Sequence, residues 1–225
     1  MRIKVTLSKN NFTIPLSYQS ILQGAIYSLA KDIEIKGFVF SSLFGKYTLV
    51  DNILHYENEF YFYISSLDTD FLKSIYHRLA SMDFLMVGYE EAKIIDLKIF
   101  SLKPFEGERE VTLKALSPIL IYSTENRYST YYDLNSDYVD EYIQSNIRMK
   151  EDLYLYPIKD VVFHLTEVKY QKRRMVRFKN CIYPSYLGEF KVRTNFETLQ
   201  CLYDSGMGSK NICGFGMIEV VGNKK

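Results

Sequence analysis

The sequence is poor in the residues from which metal centres and disulfide frameworks are built. Among its 225 residues it has no tryptophan, three cysteines and three histidines. The cysteines are Cys181, Cys201 and Cys213, and the histidines are His55, His77 and His164. The cysteines are too widely spaced for a paired metal-ligand motif, their odd number argues against a disulfide framework, and no histidine lies at metal-binding spacing from them. We therefore expect reduced core thiols, no structural metal and no cofactor.

Long hydrophobic runs are also missing. No stretch approaches the roughly 18–20 uninterrupted apolar residues that a membrane-spanning helix requires. The N-terminal residues 1–7 alternate charged and apolar side chains, whereas a signal peptide has an apolar block followed by a small-residue cleavage site. With 47% hydrophobic and 24% charged residues, the composition is that of a soluble globular protein, and we expect a cytoplasmic location without membrane contact.

The net charge is low, but the charges are unevenly distributed along the chain. The formal net charge is +1 at pH 7. Residues 133–152 contain six carboxylates against two basic side chains, whereas residues 159–193 contain nine basic side chains against three carboxylates. Six of those nine bases lie within eleven positions, at Lys169, Lys172, Arg173, Arg174, Arg177 and Lys179. Such a cluster is typical of a surface that binds a phosphate backbone, although a solvated hairpin with charges on its outer face would give the same pattern.

Hydrophobic periodicity predicts two helices and several strands in the first half of the chain. A helix is expected over residues 17–30 because apolar side chains recur at helical spacing there. Asp68 is placed to cap a second amphipathic helix over residues 71–81. Strands are expected where β-branched and aromatic residues concentrate, over residues 2–7, 46–50, 53–56, 59–65, 84–87 and 92–102. Turns are expected at the polar pairs 51–52 and 57–58.

The second half repeats this order after the turn-prone residues 103–109. The expected elements are a strand over 110–115, a helix over 137–150, strands over 161–168 and 174–178 around a basic turn at 169–173, a helix over 195–204 and a strand over 214–221. Both halves approximate the order β-α-β-β-α-β. We therefore predict the α+β class, with two tandem ferredoxin-like (RRM-like) domains over residues 1–104 and 110–225.

A glycine-rich segment lies between the last predicted helix and the last predicted strand. It contains Gly206, Gly208, Lys210, Gly214 and Gly216. Glycines permit positive φ and let a phosphate or a base approach the backbone, while Lys210 adds a cation at the same place. On spacing alone, however, a structural turn with a bulge is the simpler explanation of two Gly-x-Gly elements.

The flanks of this segment change the interpretation. Residues 199–220, including the spacing of all four glycines, closely resemble the C-terminal signature of the CRISPR-associated endoribonuclease family of the RAMP superfamily, which cuts CRISPR repeat RNA. Residues 116–120, Leu-Ser-Pro-Ile-Leu, resemble the segment that begins the second domain of that family. Residues 37–44, Gly-Phe-Val-Phe-Ser-Ser-Leu-Phe, and the helix carrying Tyr27 resemble features of its first domain.

The resemblance implies metal-independent cleavage of precursor CRISPR RNA within its repeats. A ribose 2′-hydroxyl attacks the adjacent phosphate in such a reaction, so the site must deprotonate the hydroxyl, stabilise charge on the phosphorane and protonate the leaving 5′-oxygen. The implied partner is CRISPR repeat RNA. It would be bound by the glycine-rich segment and by the basic residues Lys169, Lys172, Arg173, Arg174 and Arg177. The resemblance also allows a monomer or homodimer that associates with other CRISPR-associated proteins of an interference complex.

Candidate catalytic residues also follow from the resemblance. Tyr27 matches the position of the family's tyrosine, and Lys36 is the first choice for its lysine. The histidine expected between the first helix and the phenylalanine-serine motif is absent, because residues 28–36 contain none. Lys46, the second choice, or Lys31 could supply a cation instead, although a lysine with an ordinary pKa of about 10.4 is a poor proton shuttle at neutral pH.

Three functions remain open from the sequence. The first is an active repeat endoribonuclease, and the second is a family member that binds repeat RNA without efficient cutting, because the histidine is missing. The third is an unrelated pair of ferredoxin-like modules that serves as a general RNA-binding or scaffold protein. It is disfavoured because the aromatic strand signature of a true RNA-recognition motif is absent. His55 could replace the missing histidine, but a histidine in a β-rich stretch is more often structural.

Overall fold

The computed structural model describes residues 1–222, and within them each half of the chain folds around its own antiparallel sheet. The elements of the first half are β1 (Arg2–Ser8), β2 (Phe12–Pro15), α1 (Gln19–Leu29), β3 (Val39–Phe40), β4 (Phe44–Val50), β5 (Ile53–Ser65), α2 (Thr69–Ala80), β6 (Phe84–Val87) and β7 (Glu90–Phe100). Those of the second half are β8 (Glu108–Ala115), β9 (Ile121–Glu125), β10 (Tyr128–Tyr132), α3 (Val139–Tyr154), β11 (Phe163–Phe178), β12 (Cys181–Asn195), α4 (Phe196–Ser205) and β13 (Ile218–Val220).

The strand orders confirm the predicted α+β class and its two tandem ferredoxin-like units. In the first sheet the order is β2-β5-β1-β7-β6, with β3 and β4 also paired to β5. In the second sheet it is β11-β12-β8-β13, and β9 and β10 form a separate hairpin. None of the helices in this described part of the chain is long and apolar enough to cross a membrane. The boundaries at residues 104 and 110 stay a prediction.

The helices form where local sequence and tertiary burial agree. The Asp68 carboxylate accepts a hydrogen bond of 3.0 Å from the Phe71 amide at the start of α2, and Asn195 caps α4 by accepting one of 3.0 Å from Thr198. The apolar faces of α1 and α2 complete the core of the first sheet. Those of α3 and α4 complete the core of the second, so each half buries its own hydrophobic cluster.

Two turns expected inside β-rich stretches are wrong. The basic residues 169–173 do not turn: β11 runs through them, and the chain reverses at Lys179, whose φ is 53°. Likewise β5 runs through the polar residues 57–58. Residues 170–173 pair with β12, whereas residues 57–58 lie at a register shift between the pairings of Tyr56 and Phe60 with β4. Local composition reports neither feature.

Other element boundaries also differ from the expectation. The strand expected over 214–221 is limited to β13, because a 3-10 turn at Asn211–Cys213 and two glycines at positive φ precede it. Helix α3 ends four residues later than expected, at Tyr154. The strands β2, β3, β9 and β10 are additional, and each has five residues or fewer, too short for periodicity to reveal.

A buried arginine joins the two halves. Arg2, on β1, donates hydrogen bonds of 2.7 Å to the carbonyl of Tyr203 on α4 and of 2.7 Å to that of Ile218 on β13. Its guanidinium also lies 3.6 Å from the centroid of the Tyr203 ring. Ser65 on β5 donates to Asp204 across the same seam at 3.2 Å. The first sheet is thereby attached to the segment that leads into and out of the glycine-rich region.

We expect Arg2→Ala to lower the free energy of unfolding by at least about 2 kcal/mol. The substitution leaves the buried Ile218 carbonyl without its donor and leaves the Tyr203 carbonyl only the longer bond of 3.4 Å from the Ser65 hydroxyl. A buried acceptor left unsatisfied costs roughly 1–3 kcal/mol, and the contact of the guanidinium with the Tyr203 ring is lost as well. Urea titration followed by circular dichroism measures the change. The matched control is Arg127→Ala in the exposed β9–β10 turn. Equal midpoints for the two variants would contradict a role for Arg2 in holding the seam.

Candidate nucleic-acid interface

The glycine-rich segment is packed between the two halves of the molecule. The Met207 amide donates to the Gly216 carbonyl at 2.7 Å, and the Gly216 amide donates to Pro118 at 2.9 Å. The Ser209 amide donates to the Leu120 carbonyl at 2.8 Å. Several of the backbone amides that could hold an anion are therefore already engaged inside the fold.

Three of its glycines are required by close approach as well as by backbone conformation. Gly208, Gly214 and Gly216 have φ between 79° and 85°. A Cβ at Gly208 would lie 2.5 Å from the Leu120 carbonyl oxygen, and one at Gly214 would lie 2.7 Å from the Phe40 ring. A Cβ at Gly216 would overlap the Met207 carbonyl oxygen. This packing gives the motif a structural reason, and RNA contact by these glycines stays a prediction.

A buried lysine fixes the start of the segment. The Lys150 ammonium, on α3, donates to the carbonyl of Gly206 directly after α4. Burial lowers the pKa of Lys150 to about 8. The same Gly206 leaves no space for a side chain, since a Cβ there would lie 2.7 Å from the Asn211 side-chain nitrogen. Helix α3 therefore contributes to the position of the loop, a role that the sequence did not suggest.

Helix α1 lies against the other end of the segment. Gln23 on α1 donates a hydrogen bond of 2.7 Å to the Ile212 carbonyl and has its amide nitrogen 3.9 Å from the Cys213 sulfur. One helical turn further along stands Tyr27, whose side chain is 39% exposed. Its ring meets Phe38 edge-on, with centroids 5.6 Å apart. Partial burial, and secondarily the neighbouring Cys213, raise the pKa of Tyr27.

The two candidate lysines occupy different surroundings. Lys36 is exposed in the segment that connects α1 to β3, two residues before the Phe38 ring that Tyr27 touches. Lys46 lies on β4, is 82% exposed and forms an ion pair of 2.9 Å with Glu57. Lys31 is exposed in the turn after α1. The structure thus connects Tyr27 to the chain segment of Lys36, whereas the charge of Lys46 is already opposed by a carboxylate.

None of the three histidines lies on α1, on the α1–β3 connection or in the glycine-rich segment. His55 is on β5 between its cross-strand neighbours Thr13 and Thr48. His77 is exposed on α2. His164, at the start of β11, lies 3.5 Å from the Asp140 carboxylate.

Lys210 presents a cation beside two tyrosine rings. Its backbone is left-handed, with φ of 55°, and its ammonium lies 5.8 Å from the centroid of Tyr122 and 5.1 Å from that of Tyr183. Burial acts to lower the pKa of Lys210, but the nearby groups of Tyr122, Tyr183 and Cys213 together raise it above its ordinary value. Lys210 therefore remains charged at neutral pH.

The basic cluster lies along β11, the edge strand of the second sheet. Lys169 is paired with Glu189 at 2.8 Å. Further along β11, four basic side chains are exposed: those of Lys172, Arg173, Arg174 and Arg177. Among residues 1–222 no carboxylate lies within 4.0 Å of the charged groups of those four. The structure therefore places four unopposed cations on one strand edge.

Two residues near Tyr27 were not anticipated from the sequence. Gln23 and Cys213 connect α1 to the glycine-rich segment, and burial raises the pKa of the Cys213 thiol, which stays neutral. Gln23 could have been identified from its helical spacing, because it precedes Tyr27 by four residues on the same helix. No local signal marks Cys213, because its contact with α1 spans most of the chain.

Comparison with known proteins identifies the family. Residues 101–220 match the model of the CRISPR associated protein Cas6, C-terminal family. The chain is 31% identical to CRISPR-associated endoribonuclease Cas6 1 of Methanocaldococcus jannaschii, covering 100% of this chain and 94% of that protein. It is 25% identical to CRISPR-associated endoribonuclease Cas6 of Pyrococcus furiosus, covering 95% of this chain and 86% of the relative.

A solved structure agrees with the sequence relatives. The structure of a CRISPR associated protein Cas6 superposes with a TM-score of 0.82 at 26% identity, covering 98% of this chain and 99% of that one. The family model spans more than half of the chain, and both the sequence and the structural matches extend over nearly all of it. The chain therefore belongs to the Cas6 family of CRISPR-associated proteins.

Proposed function

We propose that this chain cuts precursor CRISPR RNA within its repeats. The observation that carries the proposal is the position of Tyr27, partly exposed where α1 meets the glycine-rich segment. Relatives that are similar over nearly the whole chain are named endoribonucleases, which supports the same activity here. The unopposed cations of β11 supply the charge that an RNA backbone requires.

The proposed reaction needs no metal ion. The ribose 2′-hydroxyl gives its proton to a solvent water, and its oxygen forms a bond to the adjacent phosphorus. The bond from phosphorus to the 5′-oxygen breaks, and that oxygen takes up a proton. The products are a 2′,3′-cyclic phosphate and a 5′-hydroxyl. Because the pKa of Tyr27 is raised, its phenol stays protonated at neutral pH and can donate a hydrogen bond or a proton. Lys36 supplies a cation that stabilises the charged phosphorane.

The alternative function is binding of repeat RNA with slow cleavage or with no cleavage. The α1–β3 connection holds no histidine, so a protein that binds repeat RNA and cuts it slowly, or not at all, is the alternative. Losing one proton-transfer group typically costs on the order of a hundredfold to ten-thousandfold in rate. Turnover below that of histidine-bearing relatives is therefore part of the proposal.

We expect Tyr27→Phe to lower the single-turnover cleavage rate by about a hundredfold or more, because the phenol can no longer donate to the phosphate or the leaving oxygen. Lys36→Ala should have a similar effect through loss of the cation. Lys46→Ala should cost less, since Glu57 already opposes that charge. The assay uses saturating enzyme, repeat RNA from the CRISPR array of the source genome, and a chelator, with the cyclic phosphate end identified by mass spectrometry.

His77→Ala on the exposed face of α2 is the control and should cut at the wild-type rate. If His55→Ala alone abolishes cutting, the Tyr27 site is wrong. If the wild type binds repeat RNA but does not cut it with chelator present, the slow or non-cleaving alternative is favoured.

We expect the triple replacement of Lys172, Arg173 and Arg174 by alanine to weaken RNA binding and to reduce its salt dependence, while cleavage at saturation is retained. Each lost phosphate contact lowers the slope of log affinity against log salt by about 0.7–0.9. Fluorescence anisotropy at several salt concentrations measures both quantities.

The matched control removes three positive charges elsewhere, at Lys73 and Arg78 on α2 and at Lys93 on β7. It should keep the wild-type salt slope. A slope that falls equally in both triple variants would mean that net charge, rather than the β11 edge, governs binding.

A further inference from the structure

The connection between α1 and β3, which carries Lys36, has little regular structure of its own. Residues 34–38 belong to no helix or strand. Their side chains alternate between two environments: Ile35 packs against the core of the first half, whereas Glu34 and Lys36 are exposed. Since no helix or sheet fixes this stretch, the side chains that contact it determine the direction in which Lys36 points.

Two contacts from the first half of the molecule hold the end of this connection. The Phe38 ring meets Tyr27 edge-on at 5.6 Å and stacks on Phe71 of α2 at 5.7 Å, both measured between ring centroids. The Gly37 carbonyl accepts a hydrogen bond of 2.6 Å from the Ser66 hydroxyl, directly before α2. The backbone is therefore attached to α1 and to the start of α2 immediately after Lys36.

A third contact comes from the second half. Tyr154, the last residue of α3, places its hydroxyl against Gly37, and a Cβ added at Gly37 would overlap that oxygen. The three atoms nearest to such a Cβ all belong to the Tyr154 side chain. The φ of Gly37 is not positive, so its backbone conformation would accept a side chain. The approach of Tyr154 is therefore the reason for a glycine at this position.

The Tyr154 phenol cannot act as a base at neutral pH. Burial raises the pKa of Tyr154 to about 12, although the neighbouring Ser66 hydroxyl acts in the opposite direction. The phenol stays protonated, and its contact is with the backbone of Gly37 rather than with the exposed side of the connection. Any effect of Tyr154 on a reaction therefore passes through the position of Gly37 and of its neighbour Lys36.

The face of α3 that carries Tyr154 also contacts the glycine-rich segment. Tyr142, Lys150 and Tyr154 are spaced by multiples of four residues and so lie along one side of the helix. The Tyr142 hydroxyl is 2.5 Å from that of Ser209, and the Lys150 ammonium donates to the Gly206 carbonyl. One face of α3 thus fixes both the glycine-rich segment and the connection that carries Lys36.

We propose that Tyr154 is a positioning residue, which holds Gly37 in place and thereby directs the Lys36 ammonium to the scissile phosphate. The inference rests on the proposed function, in which Lys36 supplies the cation. Lys36 directly precedes Gly37, so a shift of the backbone at Gly37 moves the start of the lysine side chain. A misplacement of about 1 Å in a reacting group costs up to about a hundredfold in rate.

The test is a comparison of Tyr154→Phe in three backgrounds. The substitution keeps the ring and removes only the hydroxyl. In the wild type it should lower the single-turnover cleavage rate of repeat RNA about ten- to a hundredfold and leave the dissociation constant of the RNA unchanged. In Lys36→Ala, followed over hours so that slow cutting is measurable, it should cause no further loss. In Lys46→Ala it should cause the full loss.

Tyr156→Phe is the matched control. It removes the hydroxyl of another partly buried tyrosine two residues further along, beside Cys201 and Glu197 of α4 rather than beside Gly37. It should cut at the rate of its parent in all three backgrounds.

Gly37→Ala changes the same contact from the other side. Its methyl group meets the Tyr154 hydroxyl, so cleavage should slow down, and adding Tyr154→Phe should restore part of the rate. In that double variant the nearest remaining atom of the ring lies 3.2 Å from the methyl carbon, which a small adjustment relieves. Hydrogen–deuterium exchange measures the connection directly: residues 31–38 should exchange faster in Tyr154→Phe than in the wild type or in Tyr156→Phe.

Equal loss from Tyr154→Phe with and without Lys36 would mean that Tyr154 acts on something else, and the inference is overturned. It is also overturned if Tyr154→Phe cuts at the wild-type rate or leaves the exchange of residues 31–38 unchanged. If the wild type does not cut repeat RNA, or if Lys36→Ala cuts as fast as the wild type, the proposed function fails and the positioning role falls with it. The two kinds of failure are therefore distinguishable.

Discussion

The backbone of the glycine-rich segment passes so close to both halves of the molecule that a side chain at any of its four glycines, Gly206, Gly208, Gly214 and Gly216, would collide. Gly208 faces the Leu120 carbonyl, Gly216 faces the Met207 carbonyl, and Gly214 faces the ring of Phe40. Phe40 belongs to the first sheet, whereas the Leu120 carbonyl belongs to the second half of the chain. The loop is therefore a shared element of both units, and its position fixes that of α1 and of Tyr27 through the bond from Gln23.

The features that the sequence predicted correctly are those that depend on short-range patterns of residues. Helices α1, α2 and α4 were placed to within two residues because their apolar positions repeat and, for α2, because Asp68 caps the first turn. The order of elements then gave the fold class. The turns expected at residues 57–58 and 169–173 were wrong, because both polar stretches lie inside long strands whose flanking residues pair with neighbouring strands. Such pairing is long-range, so no local window contains it.

The candidate site was less predictable than the fold. Tyr27 occupies a helical position, and pattern alone would bury it. Only the family resemblance marked it, and the structure leaves it 39% exposed. The glycine motif was recognised in the sequence, but its structural cause could not be inferred there. The positive φ values and the contacts with Phe40 and Leu120 arise only after folding. The support from Lys150 on α3 was likewise invisible in the sequence.

A net charge of +1 is compatible with an RNA-binding surface because, among residues 1–222, no carboxylate lies within 4.0 Å of the charged groups of Lys172, Arg173, Arg174 and Arg177. Asp140 on α3 is engaged at the start of β11, where it accepts from the Leu165 amide at 2.8 Å. Arg174 lies nine residues further along that strand, about 30 Å away at about 3.3 Å per residue. At physiological ionic strength the Debye length is about 8 Å, so the carboxylate does not neutralise the distal arginines. The far half of β11 therefore retains a positive potential that the whole-chain charge conceals.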